Sequence, residues 1–399
     1  MKAKDRRLAE LRSSIPEVAP GEAVELTAAG IPLIDVRDTD EVAQGSPRGA
    51  HRLGRSFLEL RVEDAIPDFD QPILVMCAGG VRSLFAAETL RQMGYKDVRS
   101  VAGGFSRWKN EGHPFEIPMT LDAEARERYS RHLLMPDVGE KGQIRLLESK
   151  VLLIGAGGLG SPSAYYLAAA GVGTIGLIDH DVVDRSNLQR QILHTEERVG
   201  MPKVESAKVA LQALNPKVRI NTYQTHLDSS NVEELFADYD VIVDGSDNLA
   251  TRYLVNDACV KMGKPNVHAA VYRFEGQITV FWPAYEKQPC GCYRCMFPEP
   301  PPPEFAPSCA EAGVLGVMPG TLGLLQAVET IKILLGLGEP LVGRMLHYDA
   351  LSSRFTELKV RKNPKCRYCA EGAEFPGYED YAQVCASAAP ATEPRKATG

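Results

Sequence analysis

The sequence predicts an α/β protein in two parts: a small α/β unit followed by a larger, mostly parallel sheet. Three observations carry this. At Lys150–Gly171 an apolar strand runs into a glycine-rich turn and then a helix, KVLLIGAGGLGSPSAYYLAAAG. After it, helical intervals alternate with the apolar runs TIGLID, RINTYQ, DVIVDGSD, PNVHAAV and GQITVFW, the pattern of a largely parallel sheet covered by helices on both faces. Before it, a shorter alternation of strands and helices ends near Pro118.

Composition narrows the class. The chain has 399 residues, 44% of them apolar, enough for two substantial cores. The formal charge of −7 is shared by both halves, which argues against a nucleic-acid or anionic-membrane surface. No unbroken apolar run reaches the roughly eighteen residues of a membrane span. The start, MKAKDRRLAELRSS, lacks the apolar centre of a signal peptide. A cytoplasmic protein is expected, and there nine cysteines point to metal or thiol chemistry rather than disulfides.

In residues 1–118, Ile31–Val36 and Pro72–Cys77 are short buried strands, Arg82–Met93 has helical spacing, and Asp97–Val101 is a further strand. Residues 119–149 form a polar helical stretch joining the halves, with Leu121, Tyr129, Leu133 and Leu134 at its apolar positions. Residues 150–375 form the nucleotide-binding part, in which RMLHYDA and RFTELKV are late strands, antiparallel as one option. Pro298–Pro307 (PEPPPPEFAP) reads as an exposed extended loop. Residues 386–399 read as a disordered tail.

The glycine turn makes this a Rossmann-like nucleotide site. Gly155, Gly157, Gly158 and Gly160 permit a tight turn and close phosphate approach, and Asp179, at the end of the next strand, suits ribose hydroxyls. Glycines alone would fit an NAD-dependent oxidoreductase. The polar residues beyond the turn do not: SNLQRQ supplies Ser186, Asn187 and Arg190, GMPKVESAK supplies Lys203, and DGSDN supplies Asp247 and Asn248. Such donors neutralise a triphosphate and a strand-end carboxylate can hold Mg²⁺, whereas hydride transfer needs neither. Separately, Cys292-x₂-Cys295 and Cys366-x₂-Cys369 offer four thiolates with the local spacing of a closed tetrahedral Zn²⁺ site of structural role. Cys290 is a rival ligand by proximity.

In the first half, the strand PILVM runs into Cys77-Ala-Gly-Gly-Val-Arg82-Ser and a helix. Successive backbone N–H groups, the helix start and Arg82 would stabilise a thiolate or hold a persulfide. The same C-x₄-R loop also suits a phosphatase.

On RYSRH, GAGGLG, SNLQRQ, GMPKVESA, DGSDN, EGQITVF and CYRC…CRYC, residues of roughly 120–372 resemble the MoeB/ThiF family of adenylyltransferases. The flanks LIDVRDTDEVAQGSPRGAHRLG and VAGGFSRWKNEGHP make residues of roughly 18–118 similar to rhodaneses, with Ser46 where that family usually carries His and Arg48 where it carries Pro. The resemblance implies ATP-dependent adenylation of the C-terminal glycine of a ubiquitin-fold sulfur carrier ending in Gly-Gly. It implies Asp179 on the ribose, Asn187, Arg190 and Lys203 on the phosphates, Asp247 on Mg²⁺, and Arg131 acting across a homodimer interface. A Cys77 persulfide, charged by a donor such as a cysteine desulfurase or thiosulfate, would then give the thiocarboxylate. The end product could be molybdopterin, thiamine or thiolated tRNA. Cys309, in APSCAEAG, would relay an acyl thioester or resolve an acyl disulfide, although its spacing alone fits a buried apolar residue equally well. Cys259 reads as core and Cys385 as a tail residue. Three rivals stand beside this reading: an adenylyltransferase whose rhodanese half only docks, an NAD-linked oxidoreductase, and a ubiquitin-type conjugation activator.

Overall fold

The computed structural model describes residues 2–117, 119–300 and 313–379, and the chain divides after Leu121 into two compact units. Cys309, Cys385, the tail 386–399 and the proline run beyond Pro300 lie outside the described residues.

In the first unit β1 (Glu17–Val18), β2 (Leu33–Asp35), β4 (His51–Arg52), β5 (Ile73–Met76) and β6 (Val98–Val101) form a parallel sheet ordered β1-β6-β5-β2-β4. β3 (Ser46–Pro47) pairs antiparallel with β7 (Phe115–Glu116). The run Ile-Leu-Val-Met of β5 is buried throughout because both faces are covered. Ile73 and Val75 pack with Leu84 and Leu90 of the helix Arg82–Met93, while Leu74 and Met76 pack with Phe105 and Trp108 on the other side. This is the two-residue alternation of a strand buried on both faces.

The second unit carries β8 (Lys150–Ile154), β9 (Thr174–Ile178), β10 (Arg219–Tyr223), β11 (Val241–Asp244), β12 (Asn266–Tyr272), β13 (Glu275–Phe281), β14 (Arg344–Asp349) and β15 (Arg354–Lys359), ordered β10-β9-β8-β11-β12-β13-β14-β15. β8 to β12 are parallel, and from β12 onward every pairing is antiparallel. GQITVFW therefore departs from the parallel alternation expected of it. Only Arg273 and Phe274 separate β12 from β13, and two residues can close a hairpin but not a crossover. The late strands β14 and β15 pair antiparallel.

The stretch after Leu121 packs within the second unit. Asp122 caps its first helix, Ala123–Arg128, by accepting from the Ala125 N–H at 2.8 Å. Tyr129 is buried, yet Leu134 is 73% exposed, against the single apolar stripe expected of it. The helix ends at Arg128, restarts for one turn at Ser130–Leu133 and ends again, so the 3.6-residue stripe is not sustained. A second difference concerns the helix Val317–Leu335. By length and composition it could cross a membrane, though Gln326, Glu329 and Lys332 interrupt its apolar run. Here it is a core helix that buries Met318, Leu322, Ala327 and Leu334.

Candidate functional site

The carboxyl ends of the parallel strands open into a cleft. β8 runs into Gly155, whose φ of +92° turns the chain. The following helix starts at Gly160, where a Cβ would lie 1.9 Å from the Gly155 carbonyl oxygen. Only glycine allows that approach, and it brings the turn residues Gly155, Gly157 and Gly158 to the wall of the cleft. The Asp179 carboxylate at the end of β9 accepts the Ala156 N–H at 2.9 Å and the Asp181 N–H at 2.9 Å, so it is held beside the turn. The Ala156 carbonyl accepts from Nε2 of buried His194 at 2.9 Å, and Ser206 Oγ lies 2.9 Å from Nδ1. Burial lowers the His194 pKa, favouring the neutral ring.

Gly155, Gly157, Gly158, Asp179, Arg190, Lys203, Asp247 and Asn248 line one cleft. Gly160 lies just behind that lining, packed against the Gly155 carbonyl. Ser186 and Asn187 sit on the turn Arg185–Asn187 outside that lining, with Asn187 Nδ2 3.3 Å from Ser186 Oγ. Arg131 is exposed on the short helix Ser130–Leu133 and does not reach the cleft of its own chain. Asn248 caps the helix Leu249–Met262, accepting the Thr251 N–H at 2.8 Å.

Several cleft residues had no motif to announce them. His180 and His226 stack with ring centroids 3.5 Å apart, and Asp181 pairs with Lys203 at 2.6 Å. Burial raises the Asp181 pKa, but the hydrogen bond and charge of Lys203 outweigh it and leave it lowered. The position of Asp181, two residues past Asp179, was the one available signal; His226 had none, because the end of β10 carries no glycine or charge pattern. Asp179, His180 and Asp181 bring ligand atoms within 4.8 Å of one another, but Lys203 already occupies Asp181.

The four cysteines meet. Cys292 and Cys366 sulfurs lie 3.7 Å apart, Cys295 and Cys369 3.4 Å, and Cys292 and Cys295 4.0 Å. A tetrahedron with Zn–S bonds of about 2.3 Å has sulfur–sulfur edges of about 3.8 Å, so the quartet fits Zn²⁺. Cys290 is buried in the main core instead, and Cys259 is buried beneath the sheet. Arg294, between two of the ligands, forms a bidentate pair with Asp257 at 2.8 and 2.7 Å and lies over the rings of Tyr253 and Tyr368. The knot is thereby fastened to the helix Leu249–Met262.

In the first unit Cys77 is 1% exposed. Its sulfur accepts the Gly80 N–H at 3.2 Å and lies 3.5 Å from Ser83 Oγ. The carbonyls of Cys77 and Ala78 accept from Phe105 and Ser106 N–H at 2.8 and 3.0 Å. A Cβ on Gly104 would fall 2.1 Å from the Cys77 oxygen, so glycine is required there. Arg82 is turned to Glu41 in a bidentate pair at 2.8 and 2.5 Å, and that bond lowers the Glu41 pKa. Ser46, one of the two departures from the rhodanese pattern, is buried and donates to Asp35 Oδ2 at 2.9 Å, beside the buried Asp35–Arg37 pair.

A tight glycine turn, a carboxylate held beside it and a cleft lined by Arg190 and Lys203 in one unit, with a buried cysteine whose sulfur accepts a backbone N–H in the other, fit a two-unit nucleotidyl- and sulfur-transferring class of enzyme. Comparison with known proteins agrees and narrows it. The chain belongs to the ThiF family, whose model matches residues 129–368, and residues 20–111 match the rhodanese-like domain. It is 50% identical over 271 residues to the SAMP-activating enzyme E1 of Haloferax volcanii, covering 68% of this chain and 98% of that one. It is 50% identical over 268 residues to the sulfur carrier protein adenylyltransferase of Thermus thermophilus, covering 67% and 99%. It is also 50% identical over 273 residues to the probable adenylyltransferase/sulfurtransferase MoeZ of Mycobacterium tuberculosis, covering 68% and 67%. The crystal structure of E. coli MccB with MccA-N7isoASN has a similar fold, with a TM-score of 0.54 at 23% identity over 62% of this chain and 75% of that one.

Proposed function

We propose that this enzyme uses ATP to adenylate the C-terminal glycine of a ubiquitin-fold sulfur carrier ending in Gly-Gly, and that a Cys77 persulfide then converts the acyl-adenylate to a thiocarboxylate. The observation that carries the reading is the convergence of Gly155, Asp179, Arg190, Lys203 and Asp247 on one cleft in a chain that also bears the Cys77 loop.

The phosphates lie against the glycine turn and the start of the helix Gly160–Ala170, with the ribose on Asp179. Arg190 and Lys203 stabilise charge on the phosphates while a carrier carboxylate oxygen attacks the α-phosphorus and pyrophosphate leaves. A single preorganised donor of this kind contributes about 3 kcal/mol to the barrier. Asp247, an exposed carboxylate at a strand end, has the hard oxygen donors that suit Mg²⁺, which would neutralise phosphate charge there. Cys292, Cys295, Cys366 and Cys369 would hold Zn²⁺ in a closed site of structural role.

The terminal sulfur of Cys77–S–S⁻ attacks the activated carbonyl and AMP leaves, forming an acyl disulfide. A thiolate, from Cys309 or an added dithiol, takes the Cys77 sulfur into a new disulfide and releases the carrier thiocarboxylate; the dithiol restores the thiols. Arg131 would act across a homodimer interface, with Ser186, Asn187 and Asn248 bordering the nucleotide and Arg82 supporting the Cys77 loop. The donor is a cysteine desulfurase persulfide or thiosulfate, and the setting is the cytoplasm.

The test is mass spectrometry of candidate carriers incubated with the protein, MgATP and a sulfur donor. Exchange of one terminal oxygen for sulfur, lost in Cys77→Ser, is the expected result. Adenylate that forms without sulfur under any donor would sink the coupled mechanism. Sulfur transfer that survives Cys77→Ser would make the first unit a docking module.

A further inference from the structure

We propose that His268 is a positioning residue for the nucleotide turn Gly245–Asn248, acting through Asp244; this rests on the nucleotide reading of the cleft. All four residues of the turn line the cleft. Asp244, which ends β11, is not among the lining residues and is fully buried. Its Oδ1 accepts both the Ser246 N–H at 3.0 Å and the Ser246 Oγ–H at 2.6 Å, and its Oδ2 lies 2.8 Å from His268 Nδ1. Ser246 is held from its other side by Arg252, whose Nε and Nη2 donate to its carbonyl at 3.3 and 3.1 Å. One carboxylate therefore sets the backbone that precedes Asp247, and His268 is the group that orients that carboxylate.

The surroundings of His268 say that it is there for this bond. The ring is 1% exposed on β12 and lies against Phe281 and Tyr293, with centroids 5.6 and 5.2 Å away. Its Nε2 is buried with no hydrogen-bond partner among the described residues. A dry, unpaired nitrogen is destabilising, and in an aromatic nest a phenyl ring would fill the same space without that loss. What phenylalanine lacks is the Nδ1–H. Gln326 repeats the pattern from the helix Val317–Leu335. Its Nε2 donates to the Asp244 and Val267 carbonyls at 2.8 and 2.9 Å, while its Oε1 is buried and unpaired. Two side chains from different elements thus leave a polar atom unsatisfied while gripping the same strand end. That end carries the turn on which the nucleotide rests.

The experiment is calorimetric titration of the full-length protein with MgATP, alongside thermal unfolding. His268→Phe should weaken ATP binding about tenfold, the effect of losing one hydrogen bond to a charged group, and should also lower the unfolding midpoint, because Asp244 Oδ2 is then buried without its donor. His268→Asn, which keeps an N–H donor, should recover most of the affinity. Ser246→Ala should weaken binding as well, and its effect should not add to that of His268→Phe, because both act through Asp244. Unchanged ATP affinity in His268→Phe would overturn the proposal, as would full additivity with Ser246→Ala. If His268→Phe does not fold, absence of any loss in Ser246→Ala overturns it equally. Failure of the unaltered protein to bind MgATP would overturn the nucleotide reading itself, and is seen before any variant is made.

Discussion

The Lys203 ammonium lies 2.6 Å from the Asp181 carboxylate, with the lysine side chain 7% exposed. The cleft thus keeps a nearly buried cation balanced by a carboxylate that remains half open to solvent. On the proposed function, an arriving polyphosphate would compete with Asp181 for Lys203. Lys203→Ala should lower adenylation kcat by about a hundredfold, measured by carrier-dependent ATP–pyrophosphate exchange. Asp181→Asn should leave Lys203 available and lower the KM for ATP. A rise in KM instead would mean that Asp181 orients the lysine rather than competing for it.

Acid should loosen the glycine turn. Burial depresses the pKa values of His194 and His268 in the folded state. A depressed pKa contributes stability fully above the unfolded value, about 6.5 for histidine. That stability is lost as pH falls from there through the folded values. The unfolding midpoint should drop between pH 7.5 and 5.5, and His194→Gln should flatten the dependence, read by thermal melts across that range.

Removing any one sulfur of the quartet should empty the metal site. Cys366→Ser should abolish bound zinc by elemental analysis and destabilise the second unit by more than about 4 kcal/mol, the range for loss of a structural metal. Cys290→Ser should keep the zinc. Equal metal content in Cys366→Ser and the unaltered protein would exclude the four-sulfur site.

Arg82 is neutralised by Glu41. Glu41→Gln should release the guanidinium toward the Cys77 loop and speed persulfide formation from the thiosulfate dianion severalfold, mainly through faster encounter. Cyanide-trapped sulfur is the readout. A slower rate would show that the pair holds the loop in shape.

Gly160→Ala should be severe, because its methyl group would meet the Gly155 carbonyl at 1.9 Å. Overpacking of this kind costs about 1–3 kcal/mol, and loss of ATP binding should exceed loss of stability. An alanine variant with full ATP affinity would show that the turn is not the phosphate cradle.

Much of the fold and the cleft is legible in the amino-acid sequence alone. The glycine turn, Asp179 and Asp247 follow strand ends that periodicity can locate, and a parallel sheet gathers such ends on one side, while Arg190 and Lys203 stand in motifs on the connection between β9 and β10. The cysteine pairs are legible for a similar reason, since each pair closes locally. His226, His268 and Gln326 are not. Their roles come from β10, β12 and a distant helix meeting the cleft or its supporting strand end, and no local spacing encodes such a meeting. Arg82 is legible as a charge beside Cys77, but its partner Glu41 lies 41 residues away on a different element. Leu134 misleads because a stripe of apolar residues says nothing about where a helix stops.

The change of strand direction at β12 has a consequence in time. β12 and β13 join through two residues, whereas β11 must find β8 ninety residues earlier. Contacts so distant in sequence close late and slowly. Hairpin strands should be protected first in pulse-labelled refolding, and the strand ends around Gly155 and Asp244 last. A nucleotide bound there would grip the seam where the sheet was completed, so substrate should slow unfolding as well as be activated.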